Sequence, residues 1–152
     1  MSKIANEIKQ TKPFSSLEEE TLLNVLRTAD YLSYQVDLIM KEANLTGNQY
    51  NVLRILRGAP PEGLLCHEVG ERMISRVPDV TRMVDRLEAR QLVTRTRESS
   101  DRRAVRVKIT PDGLKALKGL DEIVAVRNKS LLEHLGQAKL QKLCELLEEA
   151  RP

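Results

Sequence analysis

Arginine is concentrated in one part of this 152-residue sequence. Residues 72–108 contain eleven Lys and Arg residues, ten of them Arg, against five Asp and Glu residues, a net charge of +6. Residues 1–71 carry −3, and residues 109–152 are balanced. Arginine can donate two parallel hydrogen bonds to a phosphate or to the major-groove edge of guanine. Such a concentration of charge predicts a nucleic-acid partner rather than a merely solvated face.

The cysteines and histidines do not have the spacing of a metal site. The candidates are Cys66, His67, His134 and Cys144, with no CxxC or HxxxH pair, whereas zinc takes three or four protein ligands. We therefore predict no metal and no cofactor. Cys66 lies near a predicted helix N-terminus, a position that lowers the pKa of a thiol. Two interpretations of the cysteines stay open. Cys66 is a redox sensor, or both cysteines pack in the core.

Motifs of catalysis and of membrane insertion are missing from the sequence. There is no GxSxG, no HExxH and no glycine-rich phosphate loop, so we predict that the protein is not an enzyme. The N-terminal segment lacks the apolar run of a signal peptide, and no stretch is long and apolar enough to span a membrane. We expect a cytoplasmic protein with no membrane partner.

The arginines fall on a predicted helix-turn-helix. The first helix is predicted from about Cys66 to Met73, and residues 74–77 form the turn. The second helix has Pro78 in its first turn, where the missing N–H costs nothing, and extends to about Arg90. Its apolar face would pack on the first helix, which leaves a polar face free to meet a DNA groove.

A hairpin is predicted directly after the second helix. Residues 92–97 and 104–109 alternate between apolar and polar side chains, which predicts two strands with one apolar face each. The tip at 98–103 is too polar to be buried, and Leu64-Leu65 can form a further minimal strand. A basic hairpin beside a helix-turn-helix is placed to contact phosphates or a minor groove.

Long amphipathic helices flank this unit. A serine cap at Ser15-Ser16 opens a helix whose apolar residues recur three and four positions apart over about seven turns. Thr110-Pro111 opens another helix, and Gly136 separates it from a last one. We predict one domain over residues 1–152, mainly α with a small β wing. Residues 15–45 and 112–150 would form the N- and C-terminal dimerisation helices. Residues 46–111 would form the winged helix-turn-helix lobe between them.

The segment from Val80 to Gly113, VTRMVDRLEARQLVTR…DRRAVRVKITPDG, closely resembles the MarR family of winged-helix regulators. This resemblance implies a homodimer joined by its N- and C-terminal helices that binds palindromic double-stranded DNA near promoters, usually as a repressor. Half-sites would lie about 10 bp apart. Many relatives are released by a small aromatic or lipophilic effector, by metal, or by cysteine oxidation.

The resemblance also implies the residues that contact DNA. Arg103 would enter the minor groove, with Asp101 holding its side chain in position. The alternative is that Arg103 only forms an ion pair with Asp101, and that Arg82 only forms one with Asp85. Arg86 and Arg102 would contact the DNA backbone. The residues nearest the major groove would be Ser75, Arg76, Pro78, Asp79, Thr81 and Arg82.

Three positions depart from the family pattern. Gln91 replaces the common glycine before Leu-Val, which costs about 1 kcal/mol if the backbone there is left-handed. Ser99-Ser100 replaces the usual proline-containing wing. Leu65 stands where the first helix usually has its Ser or Thr cap, so that cap is left unmade.

An effector pocket is predicted between the dimerisation helices and the DNA-binding lobe. Its candidate lining is Tyr34, Tyr50, Arg54 and His67, although we interpret Tyr50 first as a core residue. The predicted function is therefore a sequence-specific DNA-binding repressor released by a small molecule. The alternatives are a winged-helix protein-interaction module that does not bind DNA, and a thiol-based regulator acting through Cys66.

Overall fold

The computed structural model describes residues 2–97 and 104–151 of the chain. These residues are mainly helical with one small antiparallel sheet, which confirms the predicted fold class, mainly α with a small β wing. The chain forms two compact units, Met1–Gly47 and Asn48–Pro152; the single domain stays a prediction. No helix within the described ranges has both the length and the apolar character to cross a membrane.

The first unit consists of α1 (Lys3–Glu7), α2 (Leu17–Met40) and a 3₁₀ turn. In α1, Ile4 and Ala5 are buried, although five residues are too few for the sequence to show a helical period. The predicted cap of α2 is present, because Ser16 Oγ accepts from Glu19 N at 3.2 Å. The carboxylate of Glu19 in turn accepts from Ser15 N at 2.6 Å.

The apolar stripe of α2 is covered only at its C-terminal end. Ile39 and Met40 are buried, whereas Leu22 and Leu26 keep 58% and 56% of their surface exposed. Exposed leucines about one turn apart on one helix are unfavourable in water. Covering each of them would contribute about 1.5–3 kcal/mol.

The second unit contains the helix-turn-helix and the sheet. The helix α3 (Gly47–Arg57) begins at the boundary between the two units, and Val52, Leu53 and Leu56 lie on its buried face. The remaining elements, in order, are β1 (Leu64–Leu65), α4 (Cys66–Glu71), α5 (Val80–Ala89), β2 (Val93–Arg97), β3 (Val105–Ile109), α6 (Pro111–Leu132) and α7 (Gln137–Glu149).

The three strands pair antiparallel in the order β1-β3-β2. Leu64 pairs with Val107, and β2 runs against β3 from Val93↔Ile109 to Arg97↔Val105. All three predicted strands are therefore confirmed, β2 and β3 each beginning one residue later than expected. The fully buried side chains of this unit, which join the sheet to the helices, include Val52, Leu53, Val69, Val84, Leu87, Val93, Val107 and Leu117.

Two glycines allow the backbone to approach closely at the base of the wing. A Cβ at Gly63 would lie 2.3 Å from the carbonyl oxygen of Val107, and its φ of +83° is disfavoured for other residues. A Cβ at Gly113, in the first turn of α6, would lie 2.3 Å from the carbonyl oxygen of Leu92. Any side chain at either position would push the sheet away from its neighbour.

Candidate nucleic-acid interface

The helix α5 begins at Val80, later than the sequence predicted. The carboxylate of Asp79 accepts from Arg82 N at 2.8 Å, so Asp79 is the N-cap. The placement of Pro78 in the first turn was therefore wrong, since Pro78 lies one residue before the cap. A Pro-Asp pair suits either the first two helical positions or the two positions before the helix, and only the side-chain bond distinguishes them.

The side chains of α5 divide into a buried face and an exposed face. Val84 and Leu87 are fully buried. A Cβ at Gly70 on α4 would lie 3.3 Å from a methyl group of Val80, so the small residue permits the close packing of α4 on α5. The opposite face, with Thr81, Arg82, Asp85 and Arg86, is exposed as predicted. The packing of α4 therefore determines which side of α5 a ligand can reach.

Arg95 on β2 forms ion pairs with both acidic side chains in the second half of α5. Its Nε donates to Glu88 Oε2 at 2.7 Å, and its backbone N–H donates to Glu88 Oε1 at 3.1 Å. Its Nη1 also pairs with Asp85 Oδ1. The hydrogen bond that Arg95 donates to Glu88, followed by the charges of both carboxylates, raises the pKa of Arg95. Arg95 is not among the residues predicted from the sequence, because its partners lie seven and ten residues away across a turn.

Three arginines of α5 and of the segment before it have no acidic partner among the described residues. Since Asp85 is taken by Arg95, the alternative pairing of Arg82 with Asp85 is not formed. Within the described part of the chain, Arg76, Arg82 and Arg86 are exposed and take part in no ion pair. We call these three side chains the arginine surface.

The remaining predicted contact residues fall into two groups. Ser75, Arg76 and Pro78 are exposed in the segment between α4 and α5 rather than on the helix itself. Asp101, Arg102 and Arg103 lie outside the described residues. The structure therefore leaves the predicted major-groove residues exposed, and their contacts with DNA stay predictions, as do those of the wing.

The end of α5 is fixed by a left-handed residue. Gln91 has φ +59°, as the departure from glycine at this position suggested. Leu92 N donates to Leu87 O at 3.0 Å and Gln91 N donates to Glu88 O at 2.8 Å, the pair of bonds of a Schellman motif. The Gln91 carbonyl also accepts from Thr110 Oγ1 at 2.7 Å. These bonds set the angle between α5 and the strand that follows it.

The start of α4 is capped without a polar side chain at the cap position. Leu65 offers no side-chain acceptor, as expected from its identity. Glu68 compensates, because its carboxylate accepts from Leu65 N at 2.7 Å. One half of a capping box is thus present, and it orients α4 beneath α5.

The cysteines do not have the environment of a reactive pair. Burial, the largest influence, raises the pKa of the Cys66 thiol, and the nearby Arg95 charge only partly opposes it. The lowered pKa that the redox-sensor alternative would need is therefore not present at Cys66, because loss of solvent raises it. Cys144 is exposed, so it is not a core residue of the single chain. No group of metal ligands occurs among the residues that the structure describes.

The predicted effector residues are only partly brought together. Tyr50 is 8% exposed, which confirms its interpretation as a core residue. The guanidinium of Arg54 lies 5.8 Å from the centre of the Tyr50 ring, within cation–π distance. His67 on α4 and Tyr34 on α2 are both exposed. A pocket formed by all four residues stays a prediction.

Comparisons with known proteins agree on one group. The sequence model described as the MarR family matches residues 45–105. The HTH-type transcriptional regulator FarR of Neisseria gonorrhoeae is 29% identical over 137 residues, which cover 90% of this chain and 92% of that protein. A MarR transcription factor from Planctomyces limnophilus is 40% identical in its crystal structure, with a TM-score of 0.70, covering 90% of this chain and 98% of that chain. NadR, solved in complex with 4-hydroxyphenylacetate, is 29% identical with a TM-score of 0.68, covering 91% and 97%.

Proposed function

Because this chain belongs to the MarR family of transcription regulators, we propose that it represses nearby genes as a homodimer bound to a palindromic operator. Each protomer would place α5 in a major groove, and a small aromatic or lipophilic effector would release the dimer from DNA. Family membership also confirms that the chain is a regulator and not an enzyme.

The arginine surface is the observation that carries this proposal. Arg82 and Arg86 lie on the exposed face of α5, and Arg76 precedes that helix. Arg95 removes the competition of Asp85 and Glu88 for these guanidinium groups. Three unpaired cations beside an exposed helix face are placed to bind phosphates and guanine edges. A protein-interaction module would have no need to keep these cations free of their own acidic neighbours.

The proposed dimer is supported by apolar surface that the single chain leaves uncovered. Leu22 and Leu26 on α2 are more than half exposed, and so is Val126 on α6. The described α7 has no buried residue, although Leu143 and Leu146 lie on it. Each of these helices carries enough exposed aliphatic surface to favour association with a second chain.

The proposed effector class is supported by a relative of this chain. The relative NadR binds 4-hydroxyphenylacetate, a small anionic aromatic compound. Tyr34, Arg54 and His67 remain the candidate residues for such a ligand. An effector releases DNA only if it binds the DNA-incompetent arrangement more tightly than the competent one.

The direct test is fluorescence anisotropy on a duplex from upstream of the protein's own gene, beside a scrambled duplex, at several salt concentrations. We expect a preference of about 10³-fold or more for the upstream duplex and a steep salt dependence. Equal binding to both duplexes would contradict operator recognition at that site. No binding at low salt would contradict the function altogether and favour a protein-interaction module.

The arginine surface is tested by Arg82→Ala and Arg86→Ala in the same assay. Each should weaken operator binding by at least about tenfold, and a phosphate contact that is lost should reduce the salt slope by about one. Arg151→Ala is the matched control, because it removes an equally exposed positive charge near the C-terminus. A loss of the same size in Arg151→Ala would mean that only net charge matters.

Effector release is tested by adding 4-hydroxyphenylacetate to the operator complex. We expect the apparent Kd for DNA to rise with effector concentration until it reaches a plateau. Binding of this compound, seen by calorimetry, without any change in DNA affinity would contradict release by this class of ligand. Repression is tested separately with a reporter gene behind the upstream region, whose expression should rise when the regulator is deleted.

A further inference from the structure

Ile74 is a large aliphatic side chain that remains 88% exposed in the segment between α4 and α5. The other strongly exposed aliphatic residues among those described lie on α2, α6 and α7 or near the N-terminus. Between residues 48 and 97 and from 104 to 110, Ile74 is the single large hydrophobic residue in this class. Its exposure therefore has a different cause from that of the apolar helix surfaces.

The position of Ile74 is fixed by a hydrogen bond from its backbone. Ile74 N donates to Asn51 Oδ1 at 2.9 Å. Asn51 is partly buried on α3, directly before the fully buried Val52 and Leu53. The core thus holds the backbone at Ile74 in place, while its side chain is directed to solvent.

The two residues that follow Ile74 are polar and cationic. Ser75 and Arg76 follow it and are exposed, and Arg76 belongs to the arginine surface. A surface of this kind attracts a polyanion and repels the apolar face of another protein. The one strongly apolar group that double-stranded DNA presents in its major groove is the C5-methyl of thymine.

We propose that Ile74 packs against the C5-methyl group of a thymine in each operator half-site and contributes to sequence recognition. This inference rests on the proposed function, since it needs the arginine surface to face a major groove. It adds an apolar reader of A·T pairs to the arginines, which recognise phosphate and guanine. The contact would bury roughly one methyl group per half-site, which corresponds to about a fourfold change in affinity.

The experiment replaces each thymine of the operator in turn by deoxyuridine, symmetrically in both half-sites, and measures the Kd of wild-type protein and of Ile74→Ala. Deoxyuridine keeps base pairing and removes only the methyl group. We expect one position at which the wild type loses about fourfold per half-site while Ile74→Ala is unaffected. Because Ile74 buries little surface, the variant should keep the wild-type Tm.

Leu17→Ala is the matched control, because Leu17 is also largely exposed but lies at the start of α2. It should respond to deoxyuridine like the wild type. Wild-type binding that is insensitive to every methyl group would overturn the inference, and so would an Ile74→Ala variant as sensitive as the wild type. Failure of the proposed function would look different, since the wild type would then not prefer the operator over scrambled DNA at all.

Discussion

The exposed side chains at α5 and those on α2 are held in different ways. Around α5, the exposed arginines stand on a backbone fixed by the Asp79 cap, by Arg95 and by the left-handed Gln91. On α2, the exposed side chains include large apolar ones such as Leu22 and Leu26, and the N-terminus of the helix is capped by Ser16. A charged surface can be stable in a single chain because water solvates it. An apolar surface becomes stable only when a second surface covers it.

The sharpest test of this comparison introduces charge on α2. Leu22→Asp/Leu26→Asp should raise the dimer dissociation constant by at least about 10³-fold, because carboxylates would have to be buried without partners. Sedimentation velocity measures the effect. Asn24→Asp adds a negative charge to another side of the same helix and should leave the dimer intact. A double Asp variant that stays dimeric would show that α2 is not part of the interface.

The next largest effect is expected at Arg95. In Arg95→Ala, Asp85 and Glu88 lose their partner and stand beside the arginine surface, so operator affinity should fall about tenfold. Stability should fall by only about 1 kcal/mol, because all three groups are partly exposed. Anisotropy and urea unfolding measure the two effects.

Arg57→Ala is the control for Arg95→Ala. Arg57 forms a similarly exposed ion pair with Asp121, at 2.9 Å, that joins α3 to α6. Its loss should lower stability by a comparable or smaller amount and leave operator affinity unchanged. If both variants lose the same DNA affinity, Arg95 has no special part in presenting the arginines.

A smaller effect is expected from Gln91→Gly. Glycine adopts the left-handed conformation without the strain of a Cβ, so the variant should be more stable by about 0.5–1 kcal/mol. The midpoint of urea unfolding should rise, and the operator affinity should not change. A loss of stability would mean that the Gln91 side chain makes a compensating contact.

The smallest effect is expected at Cys66. Because burial raises the pKa of its thiol, less thiolate is present near neutral pH, and alkylation should be slower than in the urea-unfolded chain. Mass spectrometry of iodoacetamide-treated protein measures this rate. Mild peroxide should leave operator binding unchanged. Rapid oxidation of Cys66 together with loss of DNA binding would restore the thiol-based alternative.

Much of the local structure could be predicted from the sequence, because its causes are local. The 3–4 spacing of apolar residues predicts α2 and α6, alternation predicts β2 and β3, and the caps at Ser16 and Thr110 are recognisable from residue type. The left-handed backbone at Gln91 could be foreseen from the glycine that the family pattern has there. The start of α5 could not, because Pro78-Asp79 fits two capping arrangements.

The features that escaped prediction depend on tertiary contacts. The sequence shows Arg95, Asp85 and Glu88, but which carboxylate meets which arginine depends on how β2 turns back along α5. The pKa of Cys66 depends on burial that periodicity does not quantify. Ile74 resembles an ordinary apolar residue of a turn until its backbone bond to Asn51 and its exposed side chain are seen together.

The residue after β3 is hydrogen-bonded to the residues before β2, so the two ends of the wing are joined. Thr110 N donates to Leu92 O at 3.1 Å, Thr110 Oγ1 donates to Gln91 O, and the missing side chain of Gly113 lets the first turn of α6 rest on the same carbonyl of Leu92. These contacts tie the end of α5 to the first turn of α6. We therefore expect a tilt of α6 to change the orientation of α5 through the backbone of Gln91 and Leu92.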